Sequence, residues 1–168
     1  MAELLYHGST VLVEHANLSL ANPKRDFGVG FYTTSSYEQA VRFSKIVARR
    51  LGSAQGVVNR YSFRAVNDLV VLRFERADQE WLDFVLSNRR HTAGSKNPPN
   101  GDLIIGPVAN DQVGRTLNLL ATGAYGDPNS NRAKSFALSL LMPENLTDQW
   151  VFKTEKAVQC LEFLGADE

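Results

Sequence analysis

Short apolar runs and helix-like patterns follow one another along this chain in no fixed order, and that irregularity restricts the fold most. A regular strand–helix alternation would build a parallel sheet through crossover helices. Here two strand patterns, 57–63 and 69–74, are separated only by the turn Ala65-Val66-Asn67-Asp68, whereas other strands stand alone between helices. The pattern therefore predicts an α+β fold with a mainly antiparallel sheet. With 168 residues the chain suffices for one domain, 1–168, around a single sizeable core.

The individual elements follow from local chemistry. Residues 4–7 read as a brief strand ending on His7, 8–28 as loop with a turn at Asn22-Pro23, and 31–33 as a second short strand. Ser35-Ser36-Tyr37-Glu38 has the form of a capping box, opening a helix whose apolar face is Ala40, Phe43, Val47 and Leu51 and whose stop is Gly52. A helix is expected over 77–87 with Trp81, Leu82 and Val85 inward, and Trp81 and Phe84 read as core. A surface loop follows over 89–102, then a buried strand over 103–105. Asn110 or Asp111 caps a helix carrying Val113, Leu117 and Leu120. A loop over 123–131, a helix over 134–141, a strand over 149–153, a helical turn over 157–161 and a last strand over 161–164 complete the reading.

Composition excludes more than it identifies. Eighteen basic and eighteen acidic residues cancel, so no global field draws the chain to nucleic acid or membrane. Arg42, Lys45, Arg49 and Arg50 form a local basic cluster that reads as a solvated helix face. No long apolar run and no signal-peptide pattern occur, which points to a cytoplasmic protein without membrane contact. Cys160 stands alone, ruling out an intrachain disulfide and a cysteine-rich zinc site, and three scattered histidines do not suggest a metal centre.

Two glycine-bearing phrases carry the candidate chemistry. The first is Leu5-Tyr6-His7-Gly8-Ser9, and the second is Asp26-Phe27-Gly28-Val29-Gly30-Phe31-Tyr32-Thr33. Each sets one polar or aromatic group beside glycines, where backbone can approach a ligand closely. A third phrase, Asp148-Gln149-Trp150-Val151-Phe152-Lys153-Thr154, reads as a late strand.

In this order the phrases resemble the motifs of the ADP-ribosyltransferase superfamily, in the His-Tyr-Glu branch that includes diphtheria toxin and the poly(ADP-ribose) polymerases. The resemblance implies the split antiparallel β-sheet core of that superfamily with flanking helices, and NAD as cosubstrate. It implies that His7 and Ser9 bond the nicotinamide ribose and that the Gly8 backbone meets the nicotinamide amide. It further implies that Tyr32 stacks on the nicotinamide ring. Phe43, eleven residues later, matches a second aromatic that closes the ring's other face in the polymerases; it reads equally as a core residue. Gln149 falls where the family has its glutamate, and with His7 and Tyr32 it completes the catalytic set. A glutamine can hold a ribose hydroxyl but cannot take a proton, which argues against chain-forming polymerisation. Asp111 and Glu155 are the alternative acidic groups. Asp26 either braces the loop over the cleft or satisfies turn amides.

A closer resemblance spans nearly the whole chain. Glu80-Trp81-Leu82-Asp83-Phe84, Ile105-Gly106-Pro107-Val108-Ala109-Asn110-Asp111 and Phe152-Lys153-Thr154-Glu155-Lys156-Ala157 join the phrases above in the order seen in a family of small bacterial and phage ADP-ribosyltransferase-like proteins. Some members lie beside small partner genes in toxin–antitoxin-like pairs. The expected function is thus NAD-dependent mono-ADP-ribosyl transfer to a macromolecular acceptor, protein or nucleic acid, with a small antitoxin protein as a further partner. The alternatives are an NAD glycohydrolase, an RNA 2′-phosphotransferase-like enzyme using extra basic residues not evident in this chain, and a catalytically silent NAD-binding module.

Overall fold

A computed structural model of the chain describes residues 2–22, 25–90, 101–108, 111–141 and 146–168, the side chains of residues 90, 111 and 112 excepted. Seven strands and five α-helices occur among them. In chain order these are β1 (Glu3–Ser9), β2 (Phe31–Thr33), α1 (Tyr37–Leu51), β3 (Val57–Phe63), β4 (Val71–Arg73) and α2 (Gln79–Arg90). They continue with β5 (Leu103–Pro107), α3 (Asp111–Ala121), α4 (Asn131–Leu140), β6 (Asp148–Phe152), α5 (Glu155–Val158) and β7 (Leu161–Asp167). The strands make two sheets, ordered β1-β3-β7 and β2-β6-β5-β4, antiparallel except for the parallel pair β4–β5. The fold is thus mixed α+β. No helix of the described residues is long and apolar enough to cross a membrane.

The period-two alternation of the strands divides the apolar side chains between two clusters. Leu5, Phe31, Tyr61, Phe63, Leu103, Ile105, Trp150 and Phe152 pack together between the two sheets. On the other face of the four-stranded sheet, Ile104 and Val151 meet Trp81, Leu82, Val85, Val113, Leu117 and Leu120 of α2 and α3. Trp81 is fully buried and its indole N–H donates to the Pro107 carbonyl, so its one polar atom is satisfied.

Among the described residues, the backbones of the two sheets are hydrogen-bonded at one point. Tyr6 and Thr34 form an isolated bridge, with Tyr6 N donating to Thr34 O at 2.9 Å and Thr34 N to Tyr6 O at 3.0 Å. Beside it the Asp148 carboxylate accepts from the Thr34 hydroxyl, the Ser35 amide and the Trp150 indole, tying the end of β2 and the approach to α1 onto β6.

Several expected boundaries shift for identifiable reasons. β1 runs on through Gly8 and Ser9, which 8–28 had assigned to loop, because it pairs with β3 along its whole length, from Glu3↔Phe63 to Ser9↔Val57. α1 is capped by Ser36, whose hydroxyl accepts from Gln39 N, rather than through a box begun at Ser35; the Ser35 amide is taken by Asp148. The helix end at Gly52 is as expected, in the left-handed region at φ 65°. The buried edge of α1 is Ala40, Ser44 and Ala48, while Leu51 is 69% exposed. β7 extends to Asp167, and α5 is a short turn ending before it. Residues 91–100 and Asn110, part of the expected loop and cap, lie outside the described residues.

The small edge of α1 explains Gly8. A Cβ on Gly8 would collide with the Ala40 carbonyl and come within 2.8 Å of Ser44 N, so the glycine is required for helix backbone to lie directly on strand backbone. Gly8→Ala should therefore lower the unfolding free energy by about 1–3 kcal/mol, the usual cost of overpacking a close contact. Denaturant unfolding checks this, and a loss of only a few tenths would show that α1 shifts freely.

Candidate functional site

A cleft of about 560 Å³ opens where β1, β2, α1 and the end of β6 converge. This size suits a small-molecule site. His7, Gly8, Tyr32, Phe43 and Gln149, separated by up to 142 positions in sequence, all line it. Ser9 does not: it lies one residue farther along β1, where its hydroxyl accepts from Val11 N at 3.4 Å. Glu155 is exposed at the start of α5 and is not among the lining residues. The Asp111 side chain lies outside the described residues.

His7 is held by two contacts. Its Nδ1 stands 2.7 Å from the Tyr32 carbonyl oxygen, and its ring packs 4.5 Å from the Phe31 ring. Burial lowers its pKa to about 4, with the Tyr32 hydrogen bond opposing the shift and the Arg25 charge adding to it. The imidazole is therefore neutral near pH 7. A carbonyl can only accept, so Nδ1 carries the proton and Nε2 remains an acceptor for a ligand hydroxyl.

Tyr32 is fixed from its far end. Its hydroxyl donates to Gly28 O at 2.6 Å and accepts from Phe27 N at 3.1 Å, and burial keeps the phenol protonated by raising its pKa. Gly28 sits at φ 74°, a conformation that favours glycine. Lys153 donates to the Phe27 carbonyl beside it, and burial lowers this ammonium's pKa to about 8. Asp26 braces the same loop, pairing with Arg89 at 2.6 Å. Burial outweighs that pairing and holds its carboxyl above the usual range.

Phe43 belongs to neither core cluster and faces the cleft. The Arg25 guanidinium lies over its ring and over that of Tyr32, 5.1 Å from the Phe43 ring centroid and 5.4 Å from that of Tyr32. Both distances are those of a cation held on aromatic faces. Gln149 is 5% exposed, its amide donating to Pro107 O at 3.2 Å. Gln39, also on the lining, donates to Asp148 O, yet its buried side-chain oxygen has no hydrogen-bond partner among the described residues. A buried acceptor left empty costs free energy unless a ligand donor reaches it.

Sequence reasoning missed Gln39 and Arg25, and it placed Arg42 and Arg50 on a solvated face only. Both are exposed, but both also line the cleft, so with Arg25 three guanidinium groups border it. The helical spacing 42, 46, 50 was the available signal, since one stripe of α1 carries Arg42, Ile46 and Arg50.

The lowered His7 pKa fixes the sign of a pH dependence. The unfolded chain binds a proton near the ordinary value of 6.5, whereas the folded chain does so only near 4. The His7 contribution, at most about 3 kcal/mol, is thus complete above pH 6.5 and lost as pH falls toward 4. His7→Asn keeps a donor for the Tyr32 carbonyl and should flatten the stability profile across that window. An unchanged profile in chemical unfolding would contradict the assignment.

Residues 4–163 match the model of the family described as "Protein of unknown function (DUF3990)", and the chain belongs to that family. No curated protein and no solved structure matches it.

Proposed function

We propose that this DUF3990 protein is an NAD-dependent mono-ADP-ribosyltransferase, built on the split antiparallel sheet of the ADP-ribosyltransferase superfamily. One observation carries the reading: the Arg25 guanidinium lies over the rings of both Tyr32 and Phe43. A planar cation on two aromatic faces is the arrangement that a nicotinamide pyridinium ring would adopt, held by dispersion and quadrupole attraction. NAD takes this place by displacing Arg25.

The polar groups around the clamp suit the rest of a dinucleotide. His7 Nε2 accepts from a ribose hydroxyl, and Gln149 and the unpartnered Gln39 oxygen hold the ribose or the carboxamide. The arginines at the rim face the diphosphate. Reaction breaks the bond between ribose C1′ and the nicotinamide nitrogen, with the electron pair passing to nicotinamide. The acceptor's nucleophile forms the new bond to C1′ and releases its proton to water, because Gln149 cannot take it. Orientation of the reacting atoms, rather than a general base, is the protein's contribution. A small antitoxin partner fits this reading if transfer harms the host cell.

Titration with NAD tests the clamp: Tyr32→Ala should weaken binding by about 1–2 kcal/mol, the worth of a lost aromatic stack. Tyr32→Phe, which keeps the ring and loses only the hydroxyl bonds to the loop, should weaken it less. Unchanged affinity in folded Tyr32→Ala would sink the assignment.

Gln149 is tested by nicotinamide release from NAD. Gln149→Ala should slow release on the order of 10²-fold, typical of one lost transition-state hydrogen bond. Gln149→Glu supplies a carboxylate able to activate water and should speed NAD hydrolysis. Wild-type turnover in Gln149→Ala would show that β6 does not provide the third position of the site.

A further inference from the structure

The exposed ridge of α1 carries Arg42, Lys45, Arg49 and Arg50 within about 12 Å of helix. None of the four makes a hydrogen bond from its side chain or an ion pair with the described residues, although other cations of the chain do. Glu38, the only acidic residue of α1, lies four positions before Arg42 without pairing to it. Two further carboxylates approach from beyond the helix. Asp167 and Glu168 line a second depression together with Lys45 and Arg49. Both are engaged: Asp167 pairs with Arg60 at 3.6 Å, and Glu168 accepts from Gln55 at 3.0 Å. In a chain of zero net charge, the ridge is a local concentration of unpaired positive charge.

Its position gives it a use. Arg42 and Arg50 face the cleft, while Lys45 and Arg49 face the second depression, so the ridge runs along the rim of the candidate site. At the N-terminal end of α1, Tyr37 is 41% exposed and packs edge-on against Tyr6, which itself lines the cleft. Unpaired cations tracking a backbone, with aromatic faces beside them, are the parts of a single-strand nucleic-acid surface. A duplex hides its base atoms in the stack, whereas a single strand can deliver one to the cleft.

We propose that the α1 ridge binds single-stranded nucleic acid and that this strand is the acceptor. Lys45 and Arg49 seat the strand's phosphates, joined by Arg42 and Arg50 when no NAD diphosphate occupies them, and Tyr37 offers a stacking face. A nucleotide nitrogen or hydroxyl then attacks ribose C1′ as the bond to nicotinamide breaks, the electron pair going to nicotinamide and the nucleophile's proton to water. The acceptor role rests on the NAD reading above; the binding of a strand does not.

The test uses the whole chain with 12-nucleotide single-stranded RNA and DNA, the corresponding duplexes, and poly-glutamate as a polyanion control. Without NAD, when all four cations are open to the strand, four phosphate contacts predict that log affinity falls with log salt at a slope of about −3. Lys45→Glu with Arg49→Glu, which leaves the cleft-lining residues in place, should weaken strand binding at least tenfold and flatten the slope. NAD binding and nicotinamide release should remain as in the wild type. Equal or tighter binding of duplex or poly-glutamate, or no effect of the double substitution, would overturn the surface. With NAD labelled in its ADP-ribose part, label on the bound oligonucleotide supports the acceptor role. Release of nicotinamide with all label left as free ADP-ribose overturns it. No nicotinamide release at all would count against the NAD reading instead, leaving strand binding to be judged by its own titration.

Discussion

The two backbone hydrogen bonds between Tyr6 and Thr34 are the joint on which the site depends. They join the backbone of one sheet to that of the other and set the register of the strands beside the cleft. With Tyr6 paired to Thr34, the next residue of β1 comes beside β2, and His7 Nδ1 reaches the Tyr32 carbonyl. The same joint brings α1 down against β1, which is possible only because Gly8 and Gly56 present no side chain to Ala40 and Ser44. A single pairing thus links backbone geometry, helix packing and the protonation state of the histidine.

The polar groups around this joint divide into those fully occupied and those left open. The Asp148 carboxylate, the Tyr32 hydroxyl, Lys153 and the Asp26–Arg89 pair all have partners, and all brace the approach to the cleft. The His7 Nε2 acceptor, the Gln39 side-chain oxygen and the arginines of the rim are the groups with capacity to spare. Rigid support behind and unsatisfied groups in front is the arrangement expected of a preorganised site.

Much of this was legible in the sequence. The strand at 31–33 stood out because glycines lead into an apolar-aromatic phrase, and the convergence of His7, Tyr32 and Gln149 on one cleft follows from three phrases that each end or begin a strand. What was not legible depended on contacts between distant segments. Ser35 and Ser36 both fit a cap, and only Asp148, more than a hundred residues away, decides between them. The periodicity of large apolar residues misassigned the buried edge of α1, since the close approach at Gly8 selects small residues and turns Phe43 toward the cleft. Arg42 and Arg50 were assigned to a solvated face for the same reason: a helix stripe reads as solvated until the strand beside it is known. Gly8, read as room for a ligand, does line the cleft, and its missing side chain also makes room for a helix.

The central claim is that the faces of Tyr32 and Phe43 receive a planar cation, supplied by Arg25 in the free protein and by nicotinamide in the complex. A crystal structure of the protein soaked with NAD tests this most directly. The account predicts the nicotinamide ring on the faces of the two aromatic side chains, a ribose hydroxyl on His7 Nε2, and Arg25 moved out of the clamp. NAD bound elsewhere, or Arg25 still seated over Tyr32 and Phe43 at saturating NAD, would contradict it.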